Sequence, residues 1–424
     1  MLSNSVIREN RDFIVDRLKI KNFNHPEIID NIILLDNERR TLQLKQDGLQ
    51  ADLNNTSREI GILFKEGRQE EANKAREATS SLKEDIRILQ QSQLDVNGKL
   101  QDLLVQVPNI PHKSVPPGKG EADNEKVREG GKIPELPESA VPHWDLISRY
   151  DIIDFELGNK ITGAGFPVYK GKGAKIQRAL INFFLDENIR AGYKEMLPPI
   201  MVNEDSGFGT GQLPDKEGQM YHVCEDNFYL IPTAEVPLTN IYRDVILTSS
   251  EFPVMLTAYT PCFRREAGSW GKEVRGLNRL HQFDKVEIVQ LQHPDRSYDT
   301  LEEMSAHIES LINKLELPYR VMRLCGGDIS FTSALTYDFE VLAGAQDKWL
   351  EVSSVSNFES FQANRLKLRY KEEGEKKPRP AHTLNGSALA LPRILAAILE
   401  NNQTDEGIHV PEVLQQYTGF EIIN

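Results

Sequence analysis

The sequence predicts an α+β protein, in which an antiparallel β-sheet flanked by helices follows an N-terminal antiparallel α-helical coiled-coil hairpin. Residues 32–103 contain no proline and repeat apolar side chains every seven residues. Beyond residue 107 the chain mixes short alternating runs, amphipathic helical segments and turn signals. Because these strands are not separated by regular helices, an antiparallel sheet fits better than a doubly wound parallel one.

The first predicted element is the helical hairpin. A heptad that starts at Ile32 has seven apolar residues at its ten a and d positions, which are Ile32, Leu35, Arg39, Leu42, Gln46, Leu49, Leu53, Thr56, Ile60 and Leu63. A second series in its own register contains Thr79, Leu82, Ile86, Leu89, Gln93, Val96, Leu100 and Leu103. Gly67 lies between the two series and can turn the chain. Helices of about 35 to 40 residues would make a hairpin about 50 to 60 Å long. A dimerisation coiled coil is the alternative reading of this pattern.

A proline-rich segment, "VPNIPHKSVPPGKG" at 107–120, ends the second helix, because successive prolines remove hydrogen-bond donors and keep the backbone extended. We therefore place a domain boundary there. The expected domains are an N-terminal domain over residues 1–106 and a second domain over residues 107–424.

Composition narrows the class of protein. A formal net charge of -14 argues against bulk electrostatic binding of nucleic acid, so a polyanion has to be met at local basic sites. The three cysteines, Cys224, Cys262 and Cys325, lie far apart and form no CxxC pair. Neither a signal peptide nor a run of 18 apolar residues is present, so we expect a cytoplasmic protein without a membrane partner.

The segment "FRREAGSWGKEVRGLNRLHQF", residues 263–283, concentrates positive charge in this acidic chain. We predict a β-hairpin with strands over 258–266 and 279–291, joined by a glycine-rich loop that carries Lys272 and Arg275. Arginines beside such a loop can hold a phosphate through paired hydrogen bonds. A solvated turn is the alternative.

Three motifs in order resemble those of class II aminoacyl-tRNA synthetases. "RRE" followed seventeen residues later by Phe283 resembles the second motif of the class. "NGSALALPRILAAILEN", with Gly386 and Arg393, resembles the third, and "GAKIQRALINFFLDENIRAGYKEMLPPIM" resembles the first.

Within the class, "TGQLP", "IPTAEVPLTN", "FRREAG", "HQFDKVEIV" and "LNGSALALPR" resemble the bacterial-type seryl-tRNA synthetases. The resemblance covers nearly the whole chain. It implies a seven-stranded antiparallel sheet, L-serine, ATP and tRNA(Ser) as substrates, Mg²⁺ as cofactor, and a homodimer. It leaves open whether tRNA(Sec) is also charged.

The resemblance also assigns the ATP site. Arg264 would contact the α-phosphate and the serine carboxylate, Phe283 would stack on adenine, and Arg393 would contact the γ-phosphate; Arg264 and Arg393 are the expected catalytic residues. The full ATP set is Arg264, Arg265, Glu266, Phe283, Glu351, Val352, Ser353, Ser354 and Arg393. Glu351 would also hold Mg²⁺.

For serine, the resemblance assigns residues of "TAE", "KVEI" and "NGS". The set is Thr233, Ala234, Glu235, Arg264, Glu287, Asn385 and Ser387. Carboxylates suit an ammonium group, and a site built to hydrogen-bond a hydroxyl rejects alanine by leaving polar groups unpaired. Taken singly, each residue is more often a cap or a surface group.

The resemblance makes the hairpin a tRNA-binding arm, although residues 30–103 hold 14 acidic and 11 basic side chains. RNA contacts would then be local and directed at shape and backbone. The expected contacts lie near the tip, at Arg58, Lys65, Arg68, Lys74 and Arg76.

Two other readings remain. A catalytically inert relative could act as a coiled-coil adaptor, but the intact Arg264, Glu266 and Arg393 argue against it. An enzyme that loads an amino acid onto a carrier protein is the other, and the long hairpin argues against that.

"GFGTG" at 207–211 lacks the GK[ST] of a phosphate loop, and we assign it to a turn at the pocket edge.

Overall fold

The fold is given by a computed structural model, which describes residues 1–215, 218–266 and 275–424. The chain forms two units. One comprises residues 1–19 and 23–108, and the other comprises residues 20–22 and 109–424.

The first unit is helical. Its helices are α1 Asn4–Glu9, α2 Arg11–Ile20, α3 Pro26–Lys65 and α4 Gln69–Leu104. Helices α3 and α4 pack along their lengths, and the chain turns at Gly67, whose φ of 78° favours glycine. All eighteen predicted seam positions are buried or partly buried. The predicted hairpin is confirmed, with α3 starting six residues before the predicted seam.

The second unit contains the remaining helices and the strands. Its helices are α5 His143–Arg149, α6 Phe155–Ile161, α7 Gly171–Arg190, α8 Glu204–Thr210, α9 Glu235–Asn240, α10 Ser297–Lys314, α11 Ser360–Leu366, α12 Leu391–Asn401 and α13 Glu412–Thr418. Its strands are β1 Glu125–Gly130, β2 Ile153–Asp154, β3 Val168–Tyr169, β4 Lys194–Glu195, β5 Met201–Asn203, β6 His222–Val223, β7 Phe228–Leu230, β8 Ile246–Thr248, β9 Val254–Phe263, β10 Gln282–Gln292, β11 Tyr319–Arg323, β12 Leu335–Ala343, β13 Lys348–Glu359, β14 Arg369–Lys371, β15 Arg379–Pro380, β16 His382–Ala390, β17 Gln403–Thr404, β18 Gly407–His409 and β19 Ile422–Ile423.

The large sheet has the order β1-β11-β12-β13-β16-β10-β9-β4 in the described part of the chain. Its first seven strands pair antiparallel, which confirms the predicted α+β class and the antiparallel sheet. The eighth, β4, pairs parallel with β9 and was not predicted.

The core lies between this sheet and its helices. Helix α10 packs on β13 and β16, and α12 packs on β10, β12, β13 and β16. Ten of the eleven residues of α12 are buried, which suits a helix that is apolar on most of its faces. The exception is Arg393, in its first turn.

The predicted hairpin of the basic segment is confirmed as the antiparallel pair β9 and β10, in which Phe263 lies opposite Gln282. Most of the intervening loop, including Lys272, lies outside the described residues.

The assignment of "GFGTG" to a turn is wrong: residues 207–210 form the second half of α8, after which the chain turns at Gly211 with a φ of 95°. None of the described helices is long and apolar enough to cross a membrane.

Candidate active site

A cavity of about 450 Å³ opens above the middle strands of the sheet. Strands β10, β13 and β16 and the start of α12 contribute to its wall. The residues predicted for the site that line it are Thr233, Glu235, Arg264, Glu266, Phe283, Glu287, Glu351, Val352, Ser353, Ser354, Asn385, Ser387 and Arg393. Side chains from positions 160 residues apart in sequence therefore face one space.

At the buried end of the cavity, three polar side chains form a closed group. The Lys285 ammonium lies 2.6 Å from Glu287 Oε2 and donates to Thr233 Oγ1 at 2.9 Å. The Thr233 hydroxyl in turn donates to Glu287 Oε2 at 3.0 Å. Glu287 Oε1 is buried and has no hydrogen-bond partner among the described residues. Burial raises the pKa of Glu287, and Lys285 opposes that shift. One carboxylate oxygen is thus fixed, and the other is left for a donor from outside.

Glu235 is a second buried carboxyl at this end, with 5% of its surface exposed. Its Oε1 accepts a hydrogen bond of 2.6 Å from the Gln362 amide, whose oxygen accepts one from Thr383. Burial raises the pKa of Glu235 to about 7, against the opposing effect of the Gln362 hydrogen bond. The group therefore titrates near neutral pH.

The pairing of β10 with β16 fixes the position of the "NGS" residues. Glu287 lies opposite Ser387, and Val289 lies opposite Asn385. The hydroxyl of Ser353 donates to the Ser387 carbonyl at 2.6 Å and so ties β13 to the same strand. Ser387 is nearly buried, and the space that it faces suits a small substrate.

The open end of the cavity carries positive charge. The exposed Arg264 guanidinium lies 5.3 Å from the centre of the Phe283 ring, within reach of a cation–π interaction. Glu266 forms an ion pair with Arg279. An apolar ring beside an unburied arginine suits a ligand with a flat base and a phosphate.

Arg393 extends from the first turn of α12 and contacts two segments of the cavity wall. Its Nε donates to the Asn278 carbonyl at 3.0 Å, and its Nη1 donates to the Glu351 carbonyl at 2.6 Å. The Glu351 carboxylate lies 3.6 Å from the same Nη1. The guanidinium is 31% exposed and keeps donors for a further anion.

The oxygen atoms of Glu351 and its neighbours suit one mode of Mg²⁺ binding. Glu351 is half-exposed, and its carboxylate accepts from the Ser354 hydroxyl at 3.3 Å. The neighbouring Asp338, opposite Ser354 on β12, has a buried oxygen without a partner in the described part of the chain, and burial raises its pKa well above the ordinary value. No cluster of three metal-ligating side chains occurs among the described residues. Mg²⁺ is commonly held by one or two carboxylates together with substrate phosphates, and this donor set fits that mode.

Some predicted residues do not line the cavity. Ala234 is buried in a small apolar cluster behind the wall, and the Arg265 backbone donates to the Gln219 carbonyl. Arg275 stacks over the Trp144 ring at 4.8 Å.

Several residues of the cavity wall were not predicted from the sequence. Those that contact predicted site residues most closely are Lys285, Asn278 and Arg279. The alternation in "FDKVEI" would have revealed Lys285, because it places positions 285 and 287 on the same face of β10.

The five predicted tRNA contacts are all exposed on the arm. Arg68 donates to Glu66 at 3.1 Å and to Glu71 at 2.6 Å, so its charge is already paired. The other four are Arg58, Lys65, Lys74 and Arg76.

Comparison with known proteins gives two family matches. Residues 1–111 match the seryl-tRNA synthetase N-terminal domain. Residues 221–402 match the tRNA synthetase class II core domain (G, H, P, S and T).

Similar proteins cover the full length. The serine–tRNA ligase of Salinibacter ruber is 48% identical over 421 residues, which span 99% of this chain and 98% of the relative. That of a Hydrogenobaculum species is 46% identical over 100% of both chains. Among solved structures, the seryl-tRNA synthetase of Pyrococcus horikoshii complexed with ATP gives a TM-score of 0.91 at 34% identity, covering 100% of this chain and 99% of that one.

Proposed function

Because the chain belongs to the seryl-tRNA synthetase family, we propose that this cavity joins L-serine to ATP and then passes the seryl group to the 3′ end of tRNA(Ser). The observation that carries the proposal is the buried, unpartnered Oε1 of Glu287, beside Thr233 and in the same cavity as Arg264 and Arg393. Leaving a buried acceptor unpaired is costly, and a small ligand with an ammonium or hydroxyl donor removes that cost.

Serine would lie at the buried end. Its ammonium is expected to meet the carboxylates of Glu235 and Glu287, while its hydroxyl faces Ser387 and Asn385. Alanine would leave these polar groups unpaired, and the restricted volume would exclude the extra methyl group of threonine. The Lys285 ammonium favours the charged form of Glu287 and pairs with its Oε2, which leaves Oε1 for the substrate.

ATP would lie at the open end. Phe283 offers its ring to adenine, Glu266 meets the nucleotide, and Arg264 reaches both the α-phosphate and the serine carboxylate. Arg393 would bind the γ-phosphate. Mg²⁺, held by Glu351 and Ser354 with the phosphates, would offset the negative charge of the triphosphate.

The chemistry needs no general base, because the serine carboxylate is already a nucleophile. A carboxylate oxygen attacks the α-phosphorus, the bond to the bridging oxygen breaks, and its electron pair leaves with pyrophosphate. The terminal ribose hydroxyl of tRNA then attacks the seryl carbonyl, the bond from that carbonyl to the AMP phosphate breaks, and the leaving phosphate takes up the hydroxyl proton. Catalysis comes from aligning the reactants and from the positive charges of Arg264 and Arg393 on the developing anions.

One assay tests this function against the rival readings. We expect exchange of labelled pyrophosphate into ATP that depends on serine and is far weaker with alanine or threonine. Charging of bulk tRNA should follow. Exchange without charging would favour the carrier-protein reading, and absence of exchange would favour the adaptor.

The arm is expected to bind tRNA. Because Gln93 donates to Gln43 at 2.5 Å across the hairpin, the two helices can be cut at these positions and rejoined. Replacing residues 44–92 by a short Gly/Ser linker should leave pyrophosphate exchange intact but lower kcat/KM for tRNA about 100-fold or more, because phosphate contacts are lost. Loss of exchange as well would show that the arm is structural.

A homodimer and action in the cytoplasm complete the proposal, which leaves the charging of tRNA(Sec) open. The dimer is supported by exposed apolar side chains near the end of α7, between β4 and β5, and at the start of β5; they are Ile189, Leu197 and Met201. Leu197 is 89% exposed. The cytoplasmic location is supported by three separate cysteines without a disulfide.

A further inference from the structure

The open end of the cavity depends on one short segment, residues 275–280. Four of its residues line the cavity, and two of them contact the groups assigned to ATP. Arg279 pairs with Glu266, and the Asn278 carbonyl accepts from Arg393 Nε. A shift of this segment would therefore move both sets of charges.

A histidine outside the cavity holds the segment by its backbone. The Leu277 N–H donates to His143 Nε2 at 2.9 Å. Since an amide can only donate, Nε2 is the acceptor and Nδ1 carries the proton. Nδ1 then donates to Glu400 Oε1 at 2.7 Å. Both side chains are completely buried.

The shape of the segment is fitted to this imidazole. Gly276 has a φ of 64°, and a Cβ at that position would lie 2.3 Å from His143 Nε2. Glycine therefore serves here both for the backbone angle and for the close approach of the ring. The next residue back, Arg275, stacks over the Trp144 ring, so both members of the His143–Trp144 dipeptide contact the segment.

The Glu400 carboxylate is held by several further donors. Its Oε2 accepts from the backbone amides of Ala345 and Gln346, and its Oε1 accepts from the Gln346 side chain at 2.8 Å. The Gln346 oxygen accepts from the Asn278 amide at 3.2 Å. A second chain of hydrogen bonds, through Gln346, therefore links Glu400 to the same segment.

Arg393 and Glu400 lie on one helix. They are seven residues apart on α12, so they share a face of it. The segment is thereby tied to that helix at the Leu277 amide, the Asn278 side chain and the Asn278 carbonyl. An apolar pair in place of His143 and Glu400 would fill the buried space without the desolvation cost of a carboxylate, but it would fix neither the Leu277 amide nor, through Gln346, the Asn278 side chain.

We propose that His143 and Glu400 are positioning residues for ATP: they fix residues 275–280 against α12 so that Arg393 and the Glu266–Arg279 pair face the nucleotide. This inference rests on the proposed function. It concerns groups that touch neither substrate, and it assigns them an effect on ATP and not on serine, whose assigned contacts at the buried end lie on β10, on β16 and at the start of α9.

The main test is His143→Phe, which keeps a ring of similar size but removes both hydrogen bonds. Rates of serine-dependent pyrophosphate exchange are normalised to active sites titrated by adenylate formation. We expect KM for ATP to rise about tenfold and kcat to fall about tenfold, with KM for serine within about twofold of wild type. His143→Gln, which retains an acceptor and a donor, should recover most of the loss.

Two further variants complete the test. Gln346→Ala removes only the second chain of hydrogen bonds and should raise KM for ATP about threefold. This variant still tests the proposal if His143→Phe fails to fold. His307→Phe is the matched control: Nε2 of that histidine donates to Asn188 Oδ1 at 2.7 Å, away from the cavity, and loss of this bond should lower Tm with KM for ATP unchanged.

The outcomes are separable. Wild-type protein without serine-dependent exchange would overturn the proposed function itself. An active wild type with unchanged KM for ATP in every variant that folds would overturn the positioning role, and so would equal rises in KM for serine and ATP.

Discussion

The two ends of the cavity differ in how deeply their polar side chains are buried. At the buried end, Thr233, Glu235 and Glu287 are each no more than 5% exposed, and they hydrogen-bond to one another or to neighbours, with Glu287 Oε1 left without a partner among the described residues. At the open end the Arg393 and Glu351 side chains are 31% and 50% exposed. Each end has the burial that its substrate requires.

The difference follows from the size and charge of the substrates. Serine offers a cationic group and one hydroxyl, so selection depends on a dry site in which an unmatched polar atom is costly. ATP brings several negative charges that attract exposed arginines and that a closed cavity could not admit. We therefore expect loss of charge at the open end to lower the rate, and changes at the buried end to alter serine affinity and protonation.

The largest effect should come from Arg264→Ala. The side chain is exposed, so the fold should survive, but the charge that we propose to face the α-phosphate is lost. Serine-dependent pyrophosphate exchange should fall about 100-fold to 1000-fold. Thermal unfolding measured alongside should show a Tm close to that of wild type.

A variant of the adjacent Arg265 is the control for Arg264→Ala. It is equally exposed but does not line the cavity. Arg265→Ala should therefore reduce exchange far less than Arg264→Ala. Equal losses would mean that general positive potential, and not a placed guanidinium, acts at the open end.

The next largest effect should come from Lys285→Met at the buried end. Methionine matches the length of lysine but leaves Glu287 without its cation, and removing one partner of a buried pair typically costs about 3–5 kcal/mol. We expect KM for serine to rise at least tenfold, since the carboxyl would take up a proton and lose its attraction for ammonium. KM for ATP should change little.

Lys170→Met is the matched control for that variant. Lys170 also pairs with two carboxylates, those of Asp151 and Asp154, but outside the cavity. Its loss should leave KM for serine unchanged. A similar rise in both variants would remove Lys285 from the serine site.

How far the sequence predicts these features depends on the kind of signal. The heptad repeat and the β9–β10 pair follow from local periodicity, and both are confirmed. Lys285 was missed because a lysine in a strand is most often a solvated residue, and only the tertiary fold shows that it is buried beside Glu287. The contact of His143 with Leu277 joins positions 134 residues apart, and no local pattern reports it.

The smallest effect concerns the pH dependence of stability through Glu235. Its pKa is raised from the ordinary 4.5 to about 7 in the folded protein. Between these values the unfolded chain releases the proton and the folded protein retains it, so stability falls as pH rises through this window, by up to about 1.4 kcal/mol per pH unit. Below 4.5 both states are protonated, and above 7 the full loss is present.

Glu235→Gln isolates this contribution, because the amide can still accept from Gln362 but does not titrate. The Tm of wild type relative to the variant should fall by several degrees between pH 5 and pH 7.5, as measured by scanning calorimetry. Saturating serine should reduce this fall, because an ammonium beside the carboxyl favours its charged form and lowers its pKa. A Tm difference that stays constant with pH would show that Glu235 is already ionised in the absence of serine. If the fall is present but serine leaves it unchanged, the ammonium lies elsewhere, and the buried end would then recognise serine through Glu287 alone.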